Sequence, residues 1–399
     1  MSEWKQVTLG DLLSRVRRKV AVEDGVSYPA ASVQMYGRGL GEKEPFVGGV
    51  SKYTTLNKVR ANDVVLRTIT AFEAPAGVAR AEHDGTHVSG VFITYEVDQK
   101  ALPEFLGLYF QTPAFWEEMQ NRASGTVLRR KTISDMSFRA IPFALPSLPI
   151  QERIIGVIGA VDDQITALDN EAEAAARVRG GLLDEFSSAA SSDTKPLGEL
   201  CPVIGSGPSW AAKDESSVPS EEAWTVLKIT NTRPDGSIDL SELAYVVGLS
   251  TRTKAIGPTS LVMIRTNGNR KRIGNVYLPP EKVHGAAVSA FQFTLDAVDV
   301  ETRDYLYLVL RSPRIQHQLS ESASGSTGLG NLAVRWLKTL EIPWPEIEMR
   351  KLQVESVQAI DAEVAAIRAE ADHLRNVRAG LLSGLLDRTI EIESAELEA

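Results

Sequence analysis

Val178-Arg179-Gly180-Gly181-Leu182-Leu183 is answered 199 residues later by Val377-Arg378-Ala379-Gly380-Leu381-Leu382. The match does not stand alone. Leu9-Gly10-Asp11-Leu12 pairs with Leu197-Gly198-Glu199-Leu200, and Leu66-Arg67-Thr68 with Ile264-Arg265-Thr266. Thr112-Pro113 pairs with Ser312-Pro313, Ala123-Ser124-Gly125 with Ala323-Ser324-Gly325, and Ile141-Pro142 with Ile342-Pro343. The offset is 188 at the front of each half, about 200 in the middle and 199 at the end. Small loop insertions in two diverged copies produce such drift. A long repeat has to be settled before any local reading, because it fixes the unit of folding. Here the unit is domain-sized, so the chain reads as a tandem duplication rather than a solenoid.

The quoted run closes a long periodic segment in each half. Ile154, Ile158, Val161, Ile165, Leu168, Ala172, Ala175, Arg179, Leu182 and Phe186 step by 4 and 3 without a break. The second copy follows 199 residues on, with Gln353, Val357, Ile360, Val364, Ile367, Ala371, Leu374, Arg378, Leu381 and Leu385. An apolar seam repeating every 3.5 residues over about four heptads is the pattern of a coiled coil. Pro149 and Pro345 stand before these segments, where a helix tolerates proline. A helix of about 37 residues is about 55 Å long. The matched registers predict that the two helices pair with each other, antiparallel, rather than each packing only on its own domain.

Ahead of each helix lie about 145 residues of short β-rich runs with turn signals, such as Asp63–Leu66, Val91–Tyr95 and Leu261–Ile264. A short amphipathic helix is expected around Glu104–Phe110 and again around Asp304–Arg311, stopping before Pro113 and Pro313. The predicted fold class is therefore α+β: a duplicated mixed α/β domain followed by a long helix. The boundaries read 1–149 and 196–345 for the domains, and 150–187 and 346–388 for the helices. Residues 188–195 form a polar linker and 389–399 an acidic tail.

Composition is that of an ordinary globular chain, 43% hydrophobic and 24% charged. A single cysteine, Cys201, excludes an intrachain disulfide framework and a cysteine-built metal site. The start lacks a basic region followed by an apolar one, and no run approaches the roughly 18 apolar residues of a membrane span. A cytoplasmic location is the expectation. The net charge of −9 is unevenly placed. Residues 1–149 carry 18 basic and 16 acidic side chains, and residues 196–345 carry 15 of each. The helical segment 150–187 carries 3 and 8, and residues 346–399 carry 6 and 12. The acidity lies in the helices, which leaves the near-neutral domains free to hold local basic patches.

This layout resembles the specificity (S) subunit of type I restriction-modification systems, the HsdS family. The resemblance covers nearly the whole chain. It rests on IPFALPSLPIQERIIGVIGAVDDQI from Ile141 to Ile165 and VRGGLLDEF from Val178, together with the duplication itself. The second copy reads IPWPEIEMRKLQVESVQAID from Ile342 to Asp361 and VRAGLLSGLL from Val377. It departs from the Leu148-Pro149-Ile150-Gln151-Glu152-Arg153 helix start of the first. The resemblance implies a non-catalytic subunit whose two target-recognition domains each read half of a split site in double-stranded DNA. It implies paired helices that space the halves and dock methyltransferase (M) subunits, which restriction (R) subunits can join. S-adenosylmethionine and ATP then belong to those partners, and no cofactor to this chain.

Sequence readout needs donors and acceptors that reach the groove, plus phosphate anchors. The densest such stretch is Arg265-Thr266-Asn267-Gly268-Asn269-Arg270-Lys271-Arg272, after the strand Leu261–Ile264. Arginine suits guanine, asparagine suits adenine and lysine suits phosphate. Its counterpart Arg67-Thr68-Ile69-Thr70-Ala71-Phe72 is far less basic. Different loops on matched frames are what readers of different half-sites require. A second candidate is Ser124–Lys131 with Arg129, Arg130 and Lys131, matched by Ser324–Asn331, and Lys52 beside Tyr53 is a third. Enzyme signatures are weak. Gly325–Gly330 lacks the Gly-Lys-Ser/Thr end of a P-loop, and Pro279-Pro280 lacks the acidic and aromatic flanks of an amino-methyltransferase motif. His83 and His87 flank a turn with no third metal ligand in view, and Asp98-Gln99-Lys100 with Asp84 is a chance-level nuclease match. The alternatives are an adaptor with duplicated protein-binding domains, or a self-contained DNA methyltransferase or nuclease.

Overall fold

The computed structural model describes residues 4–127, 131–188, 193–324 and 329–391. The chain divides into two units. Unit one comprises Met1–Asp169 with Ala369–Ala399, and unit two comprises Asn170–Arg368. The division does not follow the halves of the duplication. Each unit holds one globular domain, part of the long helix Leu148–Ser188 and part of the long helix Ile347–Leu386.

In unit one the strand Lys5–Thr8 pairs antiparallel with Pro142–Leu145, just before the long helix. A four-stranded antiparallel sheet runs in the order Leu13–Val16, Phe92–Val97, Val64–Arg67, Ala76–Val78. A second, five-stranded sheet orders Lys19–Ala21, Thr55–Lys58, His87–Val88, Ser27–Val33 and Leu40–Val47. Val64 and Leu66 turn toward one core with Tyr95, Phe105, Phe110 and Phe138, while Val65 turns toward another with Val33 and Val88. That alternation is the two-residue period of a strand covered on both faces.

Unit two repeats the plan. Thr194–Pro196 pairs with Glu341–Pro343, so a strand begins inside the stretch read as linker. Its four-stranded sheet runs Val203–Ser206, Gln292–Asp296, Ser260–Ile264, Val276–Tyr277. The companion sheet orders Glu215–Ser216, Ala244–Val246, Trp224–Leu227 and Ala287–Val288.

The expected short helices are present as Pro103–Tyr109 and Val300–Val309. A further helix follows each one, Pro113–Arg122 and Pro313–Ser322, which the sequence reading had not placed. The prolines do not only end one helix; they open the next. Each sits at the first helical position, with Thr112 or Ser312 as the cap accepting the N–H of Phe115 or Ile315.

Within both units the long helices run antiparallel. In unit one Ile154 and Ile158 share a core with Leu382 and Leu385, and Arg378 Nη2 donates to Asp162 Oδ2 at 2.9 Å. Seven residues on, Asp169 accepts from Arg375, at 2.6 Å. In unit two Arg179 Nη2 donates to Asp361 Oδ2 at 3.1 Å, and Leu183 and Val357 lie in that unit's core. Leu168 and Leu385 are buried at their heptad places, whereas Leu183 and Leu382 are buried one residue beyond the Leu182 and Leu381 of the heptad reading, which are only half-buried. An α-helix drifts about 20° per heptad from a 3.5-residue repeat. Over four heptads that drift moves the inward position by nearly one residue. No helix among the described residues is long and apolar enough to cross a membrane.

Candidate nucleic-acid interface

In both units the central strand of the four-stranded sheet ends in the loop that sequence reading singled out. Each loop is stapled to the second candidate segment, some 60 residues away in sequence. In unit one Thr68 donates both its N–H and its hydroxyl to Val91 O at 2.9 Å, and Ile133 N–H donates to Thr68 O. Ile69 bridges Thr132, Ser124 bridges Thr132, and Ala71 N–H donates to Lys131 O at 3.1 Å. In unit two Arg265 and Thr266 N–H both donate to Phe291 O, and Leu332 N–H to Arg265 O. Thr266–Asn267 pairs as a strand with Gly330–Asn331, and Ser324 bridges Asn331. The fold thus brings the two candidate segments together twice.

Their chemistry differs. In unit one Arg67 Nη2 donates to Glu73 Oε2 at 3.0 Å, and both side chains are mostly buried, so the cation of that loop is already neutralised. The loop is also strained: Thr70 and Ala74 adopt φ of 56° and 46°, in the left-handed region that non-glycine residues avoid. Lys131 remains partly exposed, while Arg129 and Arg130 lie outside the described residues. Lys52 stands apart from this loop. It follows the edge strand Leu40–Val47 of the other sheet, with Nζ 5.9 Å from the Tyr53 ring centre.

In unit two the four cations separate into two pairs. Arg265 Nε donates to Asn331 Oδ1 at 3.0 Å and its guanidinium lies over the Phe293 ring. Thr266 donates its hydroxyl to the same Asn331 oxygen at 2.8 Å. Arg272 Nη2 donates to Thr232 O at 2.8 Å. Arg265 and Arg272 are half-buried and hold the loop's own shape. Arg270 and Lys271 are exposed, on a single 3-10 turn, with no side-chain partner among the described residues. Asn267 Oδ1 accepts from Asn269 N, and Asn269 Oδ1 accepts from Lys271 N, at 2.8 and 3.1 Å. These Asx turns engage both amide oxygens and leave the amide NH2 groups without a bond among the described residues. Residues 260–280 include no Asp or Glu, so the segment itself is purely basic.

One residue escaped sequence reasoning. Phe291 supplies the carbonyl that anchors Arg265 and Thr266, and its own ring is 53% exposed. A solvent-facing ring at the base of this loop can contact a thymine methyl group or a base face. The signal was an aromatic in the turn Ser289–Gln292 ahead of a strand, which sequence alone does not separate from a core position. No group of three or more His, Cys, Asp or Glu placed to hold a metal occurs among the described residues. Cys201 is buried and its thiol is pushed up to about 12 by desolvation, with Asp296 adding to the shift, so it offers no nucleophile at neutral pH.

Residues 1–175 match the family described as type I restriction modification DNA specificity domain. Among solved structures the chain is similar to one from a study of complex assembly and conformational transition of the type I R-M system. That likeness has a TM-score of 0.66 at 16% identity, covering 96% of this chain and 97% of the other. It is also similar to the type I restriction-modification S subunit of M. genitalium, with a TM-score of 0.51 at 14% identity over 98% of this chain and 97% of that one. No curated protein sequence matches.

Proposed function

We propose, from the match of residues 1–175 to the type I restriction modification DNA specificity domain, that the chain is the DNA sequence-recognition subunit of such a system. Each globular domain reads one half of a split double-stranded site, and the paired helices keep the two readings in register. The observation that carries this is the doubled loop. Both units present the turn after the central strand, stapled to a distant second segment, with different side chains on the same frame.

Arg270 and Lys271 supply phosphate contacts, and Asn267, Asn269 and Phe291 face base edges. In unit one Thr68, Thr70 and Lys131 hold the equivalent place. Hydroxyls and a strained, charge-neutral turn read a groove with fewer ionic contacts than unit two makes. Methyltransferase subunits dock on the helices, and restriction subunits join that assembly. Catalysis, S-adenosylmethionine and ATP belong to those partners, in the cytoplasm where the DNA lies.

The test is co-expression with a methyltransferase subunit of a type I system, followed by mapping of methylated sites across the host genome. The expected product is a split motif. Replacing residues 1–149 by the corresponding domain of a relative changes one half of it, and replacing 196–345 changes the other. A continuous motif, or a chimera that alters both halves at once, would sink the proposal. Methyl transfer by the purified chain alone would favour the enzyme alternative instead.

A further inference from the structure

The two units can be compared position by position around one glycine turn. Gly37 and Gly236 both have positive φ, 68° and 96°. A Cβ on Gly37 would lie 2.1 Å from Phe110 O, and one on Gly236 would lie 2.6 Å from Arg311 Nη2. Beside them, Trp116 Nε1 donates to Phe110 O at 2.9 Å in unit one, and Gln316 Nε2 donates to Leu310 O at 2.6 Å in unit two. Trp116 and Gln316 therefore hold the same place, as do Tyr36 and Asp235, the residues before the glycines.

In unit one that place is filled. The Tyr36 ring meets Trp116 edge-on, with centroids 5.1 Å apart. In unit two neither ring is present, and a cavity of about 190 Å³ remains. Arg179, Arg311, Asn275, Gln316 and Tyr277 contribute to its lining, and no carboxylate does. Arg311 spends Nη1 on the Tyr307 hydroxyl at 2.8 Å and Nη2 on Asp235 O at 3.2 Å. Arg179 faces Asp361 through Nε and Nη2, and the Asp235 carboxylate is turned onto Ser237. A guanidinium carries five N–H donors and no acceptor. Both arginines thus retain donors after these bonds, next to the Asn275 amide and the Tyr277 phenol, while Gln316 spends both amide hydrogens on Gly274 O and Leu310 O.

We propose that this cavity is an oxyanion site that takes one phosphate group, as the free ion or as the head of a small phosphomonoester. Its volume falls below the roughly 300 Å³ at which pockets enclose a drug-sized molecule. It therefore admits a head group rather than a whole nucleotide. The group bridges Arg179 on the long helix to Arg311 on the globular domain of the same unit. Charge-assisted hydrogen bonds from two guanidiniums are the strong kind, and a phosphate matches their fork geometry.

The experiment is titration of the full chain with inorganic phosphate at fixed ionic strength, chloride replacing phosphate in the reference, read by calorimetry and thermal unfolding. Saturable binding and a rise in Tm are expected. Arg311→Gln, which installs the Gln111 of the first copy, should weaken binding by about ten- to a hundredfold. Gln316→Trp, which restores the ring that fills the cavity in unit one, should abolish it. Circular dichroism identifies a variant that fails to fold, and the other then decides. Adenosine monophosphate in a second arm separates the sources. Comparable binding assigns the head of a phosphomonoester, and binding of phosphate alone assigns the free ion. If phosphate acts on the wild type no differently from chloride, or if folded variants bind it as the wild type does, the proposal falls. No DNA enters the test, so its failure leaves the recognition reading untouched.

Discussion

Gln151 shows how much one side chain can hold. It is fully buried at the start of the first long helix. Its amide accepts from Leu102 N at 2.8 Å and donates to Lys100 O and Pro146 O at 3.0 and 2.9 Å. In the second copy the residue 199 positions later is Arg350, which donates to Pro345 O at 2.7 Å and stacks on the Trp344 ring at 4.0 Å. The two helix starts looked divergent because one docks through an amide and the other through a guanidinium on an indole. Gln151→Ala leaves one buried and two partly buried backbone groups unpaired and should cost about 1–3 kcal/mol in urea unfolding. A loss below a few tenths would show that the docking is not held there. Cys201 should react with a thiol reagent at neutral pH only at the rate of unfolding, because burial keeps it protonated and covered. Rapid labelling of the native chain would contradict this. In the loop Arg265–Arg272, Lys271→Ala should weaken DNA binding equally across sequences and lower the salt slope by about one. Arg265→Ala should instead show as lost stability, since that guanidinium is bonded to Asn331.

At the scale of elements, the helix seam carries a charge pair in each unit. Arg378 meets Asp162 and Arg179 meets Asp361, and both members of one pair lie 199 residues from their counterparts in the other. Heptad reading placed the arginines on the seam but said nothing of the aspartates, which lie off it. Antiparallel pairing brings them within reach. The arginines are mostly buried and the aspartates nearly half exposed, so solvent screens much of the attraction. Reversing Arg378 to Asp should cost about 1 kcal/mol, and the exchanged double variant R378D/D162R should recover most of it. A double variant no better than the sum of its singles would mean that the pair does not set the register. The helices Pro113–Arg122 and Pro313–Ser322 were legible in principle, since Thr-Pro and Ser-Pro are helix-opening pairs. The sequence reading used the prolines as stops, and the cap before each decided otherwise.

For the molecule as a whole, charge is the governing quantity. The chain carries a net −9, and its helical segments hold the excess. On the proposed function, an isolated chain should therefore bind a target duplex more weakly than a complex with a methyltransferase subunit, by an order of magnitude or more at physiological salt. Equally tight binding alone, measured by fluorescence anisotropy, would overturn the partner-dependence. The asymmetry between the two candidate loops makes a further demand. Mutations in unit two should change the salt dependence of binding more than mutations around Arg67, whose charge Glu73 already balances.

The duplication, the long antiparallel helices and the place of the two candidate loops after a central strand were determined by the sequence, because each is a matter of period and order along the chain. Periodicity survives divergence of individual residues, as the match of Gln151 with Arg350 shows. Only the tertiary structure decided which cations are spent on their own fold and which face outward. It also showed that one copy fills a cavity with Tyr36 and Trp116 where the other leaves Arg311 and Gln316 around open space. A hydrogen-bond partner such as Thr232 for Arg272 lies 40 residues away. No local pattern encodes that distance, and the free energy of pairing is set by burial that exists only once the chain has folded.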